Sequence, residues 1–172
     1  PSVRPLNDEG PLVIGYLGTI GHWFDWKLVV TLANSHPETI LRLIGPMYVR
    51  SPIPLPDNVR PEPALPHPEA LREMRQFDVG LIPFKKDTLT ASVDPIKFYE
   101  YRALGLPVLS SAFGEMTSRG EDQGVYLIDR DSNMTDIVNQ ALAHRTSPDN
   151  TARFRKENSW ESRFNQAGVF VL

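Results

Sequence analysis

The sequence predicts an α/β fold, a doubly wound parallel sheet of about six strands with helices on both faces. Three observations predict it. Short apolar runs alternate along the chain with segments of helical period. The runs are nearly unbroken, as expected of strands covered on both faces rather than wetted on one. The first run ends in Gly18-Thr-Ile-Gly21 and feeds a helix, the way such folds bring backbone close to a ligand.

Pro1 to Pro11 is polar and reads as a linker, followed by one domain over 12–172. Leu12 to Gly18 forms the first strand, and a helical pattern runs from about Asp25 to Ser35. Thr39 to Gly45 is the second strand, and the proline-loaded stretch from Pro46 to Pro68 is irregular with a short strand near Val59. A short helix spans Glu69 to Gln76, and Val79 to Ile82 is the next strand. The polar loop from Lys85 to Ala91 leads to a helix with Asp94 as N-cap and Pro95 in its first position. Ile96, Tyr99, Ala103 and Leu104 give that helix an apolar face. Gly105 ends it in the left-handed conformation, Pro107 forbids continuation, and Val108-Leu109 begins a buried strand. Gly124 to Ile128 is a further strand, Met134–Ala143 and Asn150–Asn158 are helical, and Ser159 caps a last helix whose Trp160 joins the core.

Composition narrows the function. A chain of 172 residues can bury a proper core, and a net charge of -3 gives no electrostatic case for nucleic acid. With no cysteine, a disulfide framework and a thiolate metal site are excluded, which suits a cytoplasmic home. No apolar run is long enough to span a membrane, and Pro1 to Pro11 is no signal peptide. The chain opens without Met in linker-like sequence, as expected of a domain excised from a longer protein. There is no G-x-S-x-G to suggest a hydrolase. The G-x-G-x-x-G fingerprint and an acid ending the second strand are both missing, which argues against a dehydrogenase. His36, His67 and His144 are scattered without metal-ligand spacing, so no metal is expected.

The chemistry concentrates on Lys97 and Glu100, three residues apart and therefore on one helix face. A helix N-terminus offers unpaired N–H groups and partial positive charge, Lys97 adds a full charge for a phosphate, and Glu100 can accept two hydrogen bonds from a sugar diol. The same pair also suits an ordinary solvated ion pair.

The string from Asp94 to Ser111, DPIKFYEYRALGLPVLSS, resembles the nucleotide-binding half of the GT-B glycosyltransferases, especially the retaining family 4. The resemblance is specific from Lys97 to Ser110 and weaker from Gly18 to Trp160. It implies the Rossmann-like half of a GT-B fold and metal-independent, retaining transfer from a nucleotide-diphosphate sugar, which is a substrate rather than a cofactor. By that resemblance Lys97 and Glu100 are catalytic, and Glu100 holds the ribose hydroxyls. Gly18, Thr19, Gly21 and His22 approach the diphosphate, the amides of Ser92 and Val93 cover it with Lys97, and the base lies against Glu62 to Leu65, at Ala64 and Leu65. Asp94 is the acid nearest the transferred sugar.

Two departures stand out: Ser92 occupies the place of the family's first glutamate, and only His22 and Lys27 stand where a basic pair is usual. The implied partners are the donor and an N-terminal acceptor domain of the same protein, with room for peripheral membrane association and a part in polysaccharide biosynthesis. A non-catalytic nucleotide-sugar-binding module and a GT-B-like nucleotide-sugar epimerase are the alternatives.

Overall fold

A computed structural model of the chain describes residues 10–143, 146–159 and 161–162. Most of the expected linker, His144 and Trp160 lie outside the described residues. The elements run β1 (Val13–Leu17), α1 (Trp26–Ser35), β2 (Ile40–Ile44), β3 (Val59–Glu62), α2 (His67–Met74), β4 (Val79–Ile82), α3 (Ile96–Ala103), β5 (Val108–Ser110), β6 (Val125–Leu127), α4 (Met134–Ala143) and α5 (Pro148–Glu157). All six strands are parallel, in the order β3-β2-β1-β4-β5-β6. The doubly wound α/β sheet is therefore as expected. Successive strands are laid outward in one direction from β1 and in the other from β4, so the chain reverses between those two strands. In such sheets a crevice opens at that reversal, beyond the carboxyl ends.

The core follows from the apolar runs. Ile14, Tyr16, Leu41, Leu43, Ile44, Val79, Leu81, Ile82, Val108 and Leu109 are all buried. Helix α1 meets α4, while α3 packs on β4, β5 and α5. Gly15 of β1 stands opposite Gly80 of β4. A Cβ on Gly15 would come within 2.2 Å of the Phe77 ring, and one on Gly80 within 2.3 Å of the Tyr101 ring. The two glycines leave a furrow in the sheet, which the Phe77 ring fills over Gly15 and the Tyr101 ring of α3 fills over Gly80. No described helix is long and apolar enough to cross a membrane.

Three local expectations need correction. Helix α2 begins at His67 rather than Glu69, because Pro66 is extended and Pro68 fits the first turn, where its missing N–H costs nothing. Asp94 does not cap α3. The N-cap is Pro95, in extended conformation with no side-chain bond to the first turn. The Asp94 carboxylate is bound instead by Arg119 at 2.8 Å and by the Tyr99 hydroxyl at 2.7 Å. An ion pair backed by a hydroxyl outcompetes a neutral amide for that carboxylate. Finally, α3 buries Phe98, Tyr101 and Arg102, while Ile96 is 59% exposed. The helix lies between the sheet and α5, so its packing does not follow a single apolar stripe. Its far end is as expected: Gly105 has φ +78°, with Leu106 N–H bonded to Tyr101 O and Gly105 N–H to Arg102 O. Two 3₁₀ turns, at Gly114–Ser118 and Glu121–Gln123, occupy a stretch for which the sequence suggested no element.

Replacing Gly80 by Ala should cost about 1–3 kcal/mol, because the added methyl drives the Tyr101 ring out of its furrow. Urea unfolding of the two proteins, compared at constant m-value, measures it.

Candidate functional site

The loops after β1, β2 and β4 meet at the carboxyl edge of the sheet. Ile20 bridges Met47 in parallel, and Phe24 bridges Phe84 antiparallel. Ile20 N–H donates to Pro46 O at 2.8 Å, Asp25 N–H to Pro83 O at 2.7 Å, and Lys85 N–H to Trp23 O at 2.6 Å. The β1 loop is thus stitched on both sides, directly over the β1/β4 reversal. Behind it Tyr16, Phe24, Trp26, Phe84 and Phe113 form a run of edge-on and tilted rings.

Lys97 enters from α3 and lies against the turn that leaves β1. Gly18 has φ +143°, and a Cβ there would sit 2.5 Å from both Cε and Nζ of Lys97. Glycine therefore serves twice, for the backbone angle and for the room that the ammonium takes. The same ammonium is 5.3 Å from the centre of the Tyr16 ring and 6.0 Å from that of Phe84. Burial holds the Lys97 pKa below the usual lysine value, and the nearby Glu100 carboxylate draws it partly back.

One helical turn further, Glu100 is half-buried. Burial raises its pKa above the usual carboxylate range, opposed by the charges of Lys97 and His67. His67, at the start of α2, thus belongs to the surroundings of Glu100. The sequence had placed it merely beside prolines, and an electrostatic influence between residues so far apart in sequence has no local signature.

The remaining expected residues divide. Gly18 and Lys97 come together, with Thr19 next in the same turn; Gly21 is buried further along the loop, and its hydrogen side faces the Trp23 ring. His22 is exposed on the same loop, and its carbonyl accepts from Lys85 Nζ at 2.6 Å. Ala64 is exposed and Leu65 half-buried, in the segment that leaves the carboxyl end of β3. Glu62 itself is bound to Arg42 through both oxygens at 2.6 Å. Ser92 is exposed, but the Val93 N–H donates to Thr90 O at 3.1 Å within the loop. The amides of Ile96 and Lys97, in the first turn of α3, have no acceptor within the helix by its geometry. Asp94 is held on Arg119, away from any cap.

Two tyrosines were missed. The Tyr101 hydroxyl accepts the Leu17 N–H at 3.0 Å, and the Tyr16 hydroxyl donates to Thr19 O at 2.6 Å. Together they fix the turn around Gly18. Their signal was available in principle, since a buried tyrosine hydroxyl needs a partner.

Comparison with known proteins gives the fold. Anabaena Alr3699/HepE, solved with UDP and glucose, superposes with a TM-score of 0.66 at 14% identity, over 95% of this chain and 49% of that one. The sucrose-phosphate synthase of Thermosynechococcus elongatus superposes at 0.66 and 20% identity, over 96% of this chain and 45% of that one. The chain has the fold of one half of a GT-B glycosyltransferase. No known family profile matches it. In sequence, 27% identity over 117 residues relates it to the teichuronic acid biosynthesis glycosyltransferase TuaH of Bacillus subtilis, covering 64% of this chain and 29% of that protein. The chain spans about half the length of the solved proteins and less than a third of TuaH.

Because burial raises the Glu100 pKa, the folded state holds the proton more tightly than the unfolded chain. That favourable contribution is complete below the unfolded glutamate pKa and is lost as pH rises through the folded value. Glu100→Gln should therefore raise the melting temperature at pH 7, with the gain shrinking toward zero as pH falls below about 4, near the unfolded glutamate value. Thermal unfolding of both proteins across that range checks it.

Proposed function

We propose that this chain is the donor-binding half of a glycosyltransferase, taking a sugar from a nucleotide-diphosphate sugar, with an N-terminal domain of the same protein supplying the acceptor site. One observation carries the reading: the Lys97 ammonium lies on the Gly18 turn at the β1/β4 reversal, with Glu100 one helical turn behind it. The diphosphate meets Lys97, the uncapped amides of α3 and the backbone at Gly18. The ribose diol lies on Glu100, and the base on the segment through Ala64 and Leu65. HepE solved with UDP and glucose, on the same fold, supports a nucleotide sugar as donor. The name of TuaH, a teichuronic acid biosynthesis glycosyltransferase, supports a part in polysaccharide biosynthesis.

As the bond from the sugar to the β-phosphate breaks, negative charge builds on the departing oxygens. Fixed dipoles and a desolvated ammonium stabilise that charge without reorganising, which is where such sites gain most. The reading is metal-independent transfer at a cytoplasmic site, with retention of configuration following the family-4 resemblance. A lysine held below its usual pKa by burial gains its counter-charge when the diphosphate arrives.

A second reading, a binding module without turnover, is favoured by one observation. Ser92 offers no carboxylate to the sugar, and the oxygens of Asp94 are engaged by Arg119 and Tyr99. Donor hydrolysis or transfer by the full-length protein separates the two.

Calorimetric titration of UDP tests the common part. A charge-assisted hydrogen bond is worth about 1.5–3 kcal/mol, so Lys97→Ala should weaken UDP binding about tenfold or more. Unchanged affinity would remove the phosphate role of Lys97.

A further inference from the structure

A cavity of about 950 Å³ opens on the side of α3 away from Lys97 and Glu100. Successive helical residues turn by about 100°, which sends Phe98, Tyr99 and Arg102 to that side. Arg102 is only 7% exposed. Its terminal nitrogens donate to Leu106 O at 2.8 Å and to Thr146 Oγ1 at 2.6 Å, both neutral oxygens. Its Nε is buried without an acceptor. Among the described residues no carboxylate forms an ion pair with it. The guanidinium lies between Gly124 and Thr146, both in the cavity wall; a Cβ on Gly124 would be 2.4 Å from its Cζ.

The other arginines of the wall are engaged, Arg119 with Asp94 at 2.8 Å and Arg153 with Glu157 at 4.0 Å. Arg102 is thus a buried cation with no counter-charge among the described residues, and such a charge is costly until one arrives. The start of α5 borders the cavity but offers little to an anion, since Pro148 has no N–H, Asp149 stands in the first turn and the Asn150 N–H is taken by Ser147 Oγ. Ser147 caps that ten-residue helix, and both Ser147 and Asn150 line the cavity. Elsewhere the wall offers Tyr99 and Phe154, stacked at 6.4 Å, and the carboxylates of Glu121 and Asp122. Those carboxylates repel a bare polyanion but accept hydrogen bonds from hydroxyl groups.

We propose that this cavity is a second ligand site, which takes the carboxylate or phosphate group of a small hydroxylated molecule on Arg102. It is separate from the nucleotide site and stands whether or not that reading does.

Glucose 6-phosphate, glucuronate and uncharged glucose, titrated by calorimetry into the same protein chain, test it. The expected result is saturable binding of at least one of the two anions and none of glucose, with the responding anion naming the group. Arg102→Met should weaken that binding about tenfold or more, the loss of a charge-assisted contact. Asn150→Asp, an exposed change in the first turn of α5 that leaves the packing of Arg102 alone, should weaken it as well by placing a like charge at the mouth. UDP titrations of both variants should match the parent, which separates this site from the crevice. If neither anion binds saturably, or if Asn150→Asp leaves the affinity intact, the proposal falls.

Discussion

The seat of Tyr101 in the sheet governs the rest of this structure. Gly80 on β4 lets its ring reach the backbone, where the hydroxyl accepts the Leu17 N–H at 3.0 Å. That one contact fixes the height and rotation of α3. A residue four positions earlier lies on the same face, one turn toward the helix start, with its side chain leaning further that way. Lys97 is that residue, and it therefore arrives over Gly18. The charge at the candidate site is aimed by an aromatic ring in a glycine furrow, two features that read as mere packing when taken singly.

The electrostatic consequence is a site that costs stability when empty. Lys97 lies between a glycine turn and two aromatic rings, and Glu100 is half-buried behind it. Desolvation is the largest influence on both, pulling the lysine down and pushing the glutamate up. Their mutual attraction opposes these shifts without cancelling them. Groups left short of solvation in this way are a common mark of binding sites, since a ligand can supply what water no longer does. A surface pair would have shown the reverse pattern, with solvation intact and little shift in either group.

The strands were legible because their signal is local and strong. Val79–Ile82 is four buried apolar residues between a polar turn and a proline, and β3 was found near Val59 despite its prolines. Lys97, Glu100 and the Gly18 turn were legible as chemistry, because helix geometry alone puts the first two on one face. What escaped were contacts between residues distant in sequence. Asp94 read as a cap because the cap rule weighs only nearby amides, whereas its actual partner, Arg119, lies in the loop after β5. The buried face of α3 was misread because a helix held between a sheet and α5 is covered on two sides. His67 and Tyr101 matter through neighbours that no spacing rule reveals.

The diversion of Asp94 bears on the chemistry as well as on the reading. A capping carboxylate would occupy the first-turn amides of α3 and set a negative charge beside Lys97. Its absence forgoes roughly 1 kcal/mol of helix stability, the usual worth of a cap. Arg119 offsets that loss in another way. It pairs with Asp94, hydrogen-bonds the Tyr99 hydroxyl and lies 4.1 Å from the centre of the Phe98 ring, binding the helix start to its approach loop from the far side. The first turn is held in place without a side-chain cap, so the Ile96 and Lys97 N–H groups have no acceptor within the helix. With Asp94 held on Arg119, an anion that reached this turn would meet those amides without a carboxylate to displace.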